Sequence, residues 1–187
     1  MIVNVATHFG KHLSGRLSGK KHFGKAAELL SSVQPGKSVV FDFKEVEYVS
    51  GSWINAMLLP LNRRGAEGAN DFFILLMNFP KNSIDDLQMV AEQSRVPFLL
   101  IASSQTPSRA ALVGVLDAGQ RVTLLAVQEL GETTGADLER RRPNENTKAT
   151  AWNNRLRDLF EKRLLRRRKQ GREQLYEPIV SEVIING

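Results

Sequence analysis

Short apolar runs separated by polar turns fill the first hundred residues. Val3 and Val5 alternate with polar neighbours, which predicts a short opening strand. The Gly-, Ser- and Lys-rich stretch from Gly15 to Gly24 predicts a flexible basic loop. A helix through Ala26-Ala27-Glu28-Leu29-Leu30 follows, ended by Pro35-Gly36. Ser38-Val39-Val40-Phe41-Asp42-Phe43 reads as a buried strand, which the alternating Glu45-Val46-Glu47-Tyr48-Val49 would continue past a bend. Ser50-Gly51-Ser52 caps a helix through Leu59, with Pro60 kinking or shortening it. Further strands are expected at Asp71-Phe72-Phe73-Ile74-Leu75-Leu76-Met77 and at Val96-Pro97-Phe98-Leu99-Leu100-Ile101. Between them lies a helix that Ser83 caps. Strands alternating with helices predict an α/β layer with helices packed on a small sheet.

The pattern changes after the polar Ser103-Ser104-Gln105-Thr106-Pro107-Ser108, where the domain boundary is placed: residues 1–105, then 106–187. Ala110 to Leu116 is apolar and reads as helical. Val122, Leu125, Ala126 and Leu130 recur at helical spacing, and Gly131 ends that helix. Thr134 and Asp137 have capping-box spacing for a short second helix towards Arg141. A third helix starts near Thr147 or Thr150. Its Trp152, Leu156, Leu159 and Phe160 share one face, while Ala151, Asn154, Arg155 and Asp158 point away and Asn153 and Arg157 flank them. Leu164 to Lys169 reads as a strand, Gln170-Gly171 as a tight turn and Arg172 to Glu177 as the returning strand, stopped by Pro178.

Charge sharpens this division. Of 26 Lys/Arg and 20 Asp/Glu, 13 and 3 respectively fall between Arg140 and Arg172, a local balance of +10. The rest of the chain has 13 against 17, or −4. A basic segment that coincides with a helix and a hairpin is the footprint of a nucleic-acid surface. The chain has no cysteine, which excludes disulfides, thiolate metal sites and a cysteine nucleophile. His8, His12 and His22 have no carboxylate motif at ligand spacing, so no metal site is expected. Gly19 to Ala26 has the spacing of a phosphate-binding loop, but Ala26 stands where a Ser or Thr must ligate magnesium, and no cofactor is expected. Asp42 is the best candidate for an unusual carboxylate, against a structural role in the following turn. No motif indicates an enzyme. Neither a membrane-spanning run nor a signal peptide is evident, so a cytoplasmic protein is expected.

Two resemblances follow from these residues. Val39-Val40-Phe41-Asp42-Phe43 followed by Ser50-Gly51-Ser52 at a helix start resembles the STAS domain of anti-sigma-factor antagonists, in the STAS-like variety found in bacterial proteins. The resemblance covers roughly residues 1–105. It places Ser52 at the serine that a partner kinase phosphorylates in that family. The chain departs from the family's Asp-Ser-Ser-Gly turn: Ser50 replaces the Asp, Gly51 the first Ser and Trp53 the Gly. In the second half, Trp152-Asn153-Asn154-Arg155-Leu156, Leu159, Leu164-Leu165-Arg166-Arg167, Gly171 and Tyr176 resemble bacterial transcription regulators of the winged helix-turn-helix fold, an α+β domain, over roughly residues 109–181.

The second resemblance implies double-stranded DNA as partner. The third helix would enter the major groove by its N-terminal half, which carries Lys148, Thr150, Asn153 and Asn154. Asn153 or Asn154 would pair with adenine and Arg157 with guanine or phosphate. Arg167, Arg168, Lys169 and Arg172 would reach phosphates or a minor groove from the wing. The expectation is a homodimeric DNA-binding transcription regulator whose STAS-like domain dimerises or senses a protein partner. The alternative is a partner-switching regulator that acts by protein–protein binding through the STAS-like domain.

Overall fold

The computed structural model describes residues 1–64, 71–103 and 108–185. They form two compact units, Met1–Val115 with the C-terminal stretch from Ile184, and Leu116–Val183. The division therefore falls later than the expected break after residue 105, and the chain from Ile184, in the second half of the last strand, belongs with the first unit. Ser104 to Pro107 of the expected linker lie outside the described residues.

The first unit runs β1 (Ile2–Asn4), α1 (Val5–Phe9), β2 (His12–Leu13), α2 (Arg16–Leu29), β3 (Lys37–Asp42), β4 (Tyr48–Val49), α3 (Gly51–Ala56), α4 (Leu58–Arg64), β5 (Phe72–Met77), α5 (Ile84–Ser94), β6 (Phe98–Ile101) and β7 (Arg109–Val113). Six strands form one mixed sheet in the order β1-β3-β5-β6-β7, with β10 (Glu182–Ile185) beside β7. The first four are parallel, in register from Val3 opposite Phe41 to Met77 opposite Ile101. β7 runs antiparallel to β6. Because β1, β3, β5 and β6 follow one another in sequence and space, right-handed crossovers put their connecting helices on one face. Alternation then packs Val39, Phe41, Ile74, Leu76 and Phe98 into one core with Ala26, Trp53, Leu61 and Leu87. β5 is buried at all six positions, as its unbroken apolar run requires.

Several local expectations are corrected. The presumed basic loop is helical: α2 starts at Arg16 and includes Gly19 and Gly24. Gly19 fits because a Cβ there would lie 2.7 Å from the Ala56 Cβ and 3.1 Å from the Trp53 carbonyl, so close packing on α3 selects glycine. Tyr48 and Val49 do not continue β3; they pair with His12 and Leu13 in a separate parallel ladder. The helix after Ser50 breaks at Met57, because Pro60 has no N–H for the Ala56 carbonyl one turn earlier. Ser83 does not cap α5 with its side chain; its hydroxyl instead accepts the Val49 N–H at 2.9 Å. Ala110 to Val113 is strand rather than helix, part of the five-residue β7, too short a run for its periodicity to decide.

The second unit runs α6 (Ala118–Leu130), α7 (Gly135–Arg141), α8 (Ala149–Glu161), β8 (Leu165–Gln170) and β9 (Glu173–Pro178). Asp117 and Gln120 form a reciprocal capping box on α6. Thr134 accepts the Asp137 N–H at 3.1 Å to start α7. Leu124 and Val127 of α6, Leu138 of α7 and Trp152, Leu156 and Leu159 of α8 are buried, and α8 packs on both other helices. β8 and β9 form an antiparallel hairpin in register from Leu165 opposite Pro178 to Gln170 opposite Glu173. The two-residue turn is therefore Gly171-Arg172, one position later than expected, with Gly171 at φ +61° and Arg172 at the tip. A positive φ at the first turn residue alone is the type II′ geometry that hairpins favour and glycine supplies. Thr133 exchanges both backbone hydrogen bonds with Tyr176, at 2.9 Å each, which adds a third short edge to the hairpin between α6 and α7.

Candidate nucleic-acid interface

On the second unit, the N-terminus of α7, the exposed side of α8 and the hairpin enclose an open concavity of about 370 Å³. Asn153, Asn154 and Arg157 line it from α8, and Arg167 and Arg172 from the hairpin. Five of the nine residues singled out in the basic segment thus meet in one place. Helical spacing explains the first three, since 153, 154 and 157 fall on the exposed side opposite Trp152 and Leu156. On β8, alternation gives Leu165, Arg167 and Lys169 one face and Arg166 and Arg168 the other. The Arg167 guanidinium lies 4.1 Å from the centre of the Phe160 ring, a cation–π contact that holds it beside α8 while leaving it exposed.

The other four sit differently. Lys169 is exposed on the Arg167 face of β8. Lys148 bridges to Glu139 at 3.5 Å, at a separate concavity with Arg142 and Asn146. Thr150 is exposed in the first turn of α8, outside the concavity. Arg168 is paired: its Nε donates to Glu132 at 2.9 Å and its Nη2 meets the same carboxylate oxygen. Its charge is offset by a residue 36 positions earlier. Arg155, expected to point away from the core, is half-buried. It lies over the Trp152 ring at 5.3 Å, where a Cβ on Gly119 of α6 would meet its Nε at 3.0 Å.

Two residues that build this arrangement were not singled out from the sequence. Glu139 of α7 accepts the Ala149 N–H at 3.0 Å, so α7 caps α8, whose own N-cap position, Lys148, has no capping side chain. Gly135 lets the two helices meet: a Cβ there would lie 2.8 Å from the Ala149 carbonyl and closer still to the Asn153 carboxamide. A glycine at the start of a short helix just before a basic one was the available signal for such a crossing.

In the first unit, Ser50 rather than Ser52 caps α3, accepting the Trp53 N–H at 3.3 Å. Ser52 is exposed, and its hydroxyl lies 3.0 Å from that of Ser50. Asp42 accepts the Lys44 backbone N–H at 2.9 Å and the Asn78 amide at 2.8 Å, the bonds of a structural turn residue. Among the described residues no group of three or more His, Asp or Glu side chains could hold a metal ion, and no helix is long and apolar enough to cross a membrane. The chain matches no protein-family model, no curated protein and no solved structure.

Proposed function

We infer that the protein is a DNA-binding transcription regulator in which Leu116–Val183 acts as a winged helix and the first unit, STAS-like in the resemblance of its Ser50 turn, dimerises or senses a partner. The observation that carries the reading is the convergence of Asn153, Asn154, Arg157, Arg167 and Arg172 on one concavity beside an exposed helix. An amide matches the donor–acceptor edge of adenine, and a guanidinium matches guanine or phosphate. The order of elements supports it: three helices, a short edge at Thr133 after the first, then a basic hairpin with a cation at its tip. Asn153 and Asn154 read bases, Arg157 reads a base or fixes a phosphate, and Arg167, Lys169 and Arg172 hold the backbone.

Fluorescence anisotropy tests this with duplex DNA from the region upstream of the protein's own coding sequence, a scrambled control and a salt series. Arg157 faces Glu161 at 3.9 Å, so Arg167, Lys169 and Arg172, which meet no carboxylate among the described residues, should contribute about −3 to the log–log salt slope. Replacing Arg167, Lys169 and Arg172 together by Ala should flatten that slope by about 3. Arg168→Ala should change it far less, because Glu132 already offsets that charge. Equal effects of the two variants would contradict the assignment. Absence of binding to either duplex at low salt would remove the reading.

A homodimer presenting two such units to two half-sites completes it. Light scattering at high protein concentration should give a dimer mass, and a clean monomer would count against that part.

A further inference from the structure

A second basic surface lies on the first unit. Residues 1–27 contain five Lys/Arg and three His and no Asp or Glu. Four of those cations, Arg16, Lys20, Lys21 and Lys25, are exposed on α2. Lys25 donates to the His8 carbonyl at 2.8 Å, but Arg16, Lys20 and Lys21 meet no carboxylate among the described residues. At 100° per residue, Arg16 and Lys20 form one rail of the exposed face and Lys21 and Lys25 the other, with Leu17, Gly24 and, in the last turn, the exposed Glu28 between them.

Local choices along α2 work against the helix itself. Arg16 and Lys20 are a like-charged i,i+4 pair, as are Lys21 and Lys25, and such pairs repel. Three cations stand in the first half, at the positive end of the helix dipole, with no acidic residue in the first turn and no side-chain cap at Gly15. Gly24 is an exposed interior glycine, and a Cβ there would meet nothing within 4 Å, so packing does not explain it as it explains Gly19. Departures from local rules that bring no return in folding are expected where a surface serves binding. Here all of them raise the positive potential or lower the relief of one face.

We propose that this face of α2 is a second, sequence-independent contact for the phosphate backbone of duplex DNA. The proposal rests on the DNA-binding reading above. From Arg16 to Lys25 the helix advances about 13 Å, and one DNA strand carries a phosphate about every 3.4 Å of duplex axis, so four cations over that length are comparable to the axial charge density of a single strand. Gly24 allows the backbone to approach between the rails. No amide or aromatic side chain stands on the face, so it has nothing with which to read bases. An anionic membrane fits less well, because Leu17, 85% exposed, is the lone large apolar side chain on the face.

The test uses the full chain and Arg16→Gln/Lys20→Gln/Lys21→Gln. Salt-series anisotropy is measured on the native and scrambled duplexes, beside the Arg167/Lys169/Arg172→Ala variant. Thermal melts check folding. The α2 variant should flatten the slope by about 2.7 on both duplexes, removing about 40-fold of the affinity lost between 50 and 200 mM salt, with its melting temperature unchanged or raised. A slope equal to wild type, while the hairpin variant flattens it, overturns this proposal and leaves the DNA-binding reading standing. An effect confined to the native duplex overturns the sequence-independent role. No wild-type binding to either duplex overturns both, and α2-dependent flotation with phosphatidylserine vesicles would then give the face to a membrane.

Discussion

Gly135→Val should cost the second unit about 3 kcal/mol and abolish its DNA binding. The substitution puts a branched side chain at the start of α7, where even a single Cβ would lie 2.8 Å from the Ala149 carbonyl. That carbonyl belongs to the first turn of α8 and cannot move without shifting the helix. The Asn153 carboxamide is closer still and has only the groove to move into. Overpacking of a close helix crossing costs about 1–3 kcal/mol, and a β-branched residue against backbone belongs at the upper end. Urea unfolding followed by circular dichroism measures the loss. Hydrogen exchange should localise the added opening to α7 and α8. Gly24→Ala supplies the contrast, because its Cβ meets nothing: it should stabilise the chain by about 0.5–1 kcal/mol. A wild-type unfolding midpoint for Gly135→Val would mean that the two helices are not held at this distance.

The elements readable from sequence are those whose burial follows one period. β3, β5 and β6 are continuous apolar runs, and α8 carries Trp152, Leu156 and Leu159 on a single face. Where two causes compete, the pattern misleads. Gly19 and Gly24 suggest a loop, yet Gly19 is selected by the α2–α3 crossing and Gly24 by nothing in the fold. Ala110 to Val113 becomes a strand because β6 offers a free edge, information that lies outside the segment. The candidate interface divides the same way. The exposure of Asn153, Asn154 and Arg157 follows from helical spacing, and that of Arg167 and Lys169 from strand alternation. The pairing of Arg168 with Glu132 and of Lys148 with Glu139 depends on distances between elements that no local period encodes. The surplus of +10 between Arg140 and Arg172 therefore overstates the charge available to a ligand, since glutamates outside that segment offset part of it.

His22→Phe should destabilise the first unit by about 1–3 kcal/mol and remove a pH dependence that wild type has. Trp53 is fully buried at the α2–α3 contact, and its indole N–H donates to His22 Nδ1 at 3.0 Å. That geometry requires an unprotonated Nδ1, so the neutral ring carries its proton on Nε2. The imidazole also stacks at a tilt on Phe9, with ring centres 5.2 Å apart. Burial lowers the His22 pKa below 6.5, and the neighbouring Lys21 and Lys25 lower it further. Because the folded chain resists protonation more than the unfolded one, stability is full above pH 6.5. It falls as the pH drops below 6.5 towards the lowered folded value. Phe preserves the ring contact but leaves the buried indole N–H without an acceptor, so the loss should be present at every pH. His22→Asn offers a side-chain oxygen near the Nδ1 position and no titration, so it should recover part of the stability at pH 7 and flatten the profile below 6.5. Urea midpoints of the three proteins from pH 5 to 8, with tryptophan emission as the signal, separate these effects. Parallel profiles for wild type and His22→Asn would show that another group titrates and that the indole bond is not the pH-sensitive element.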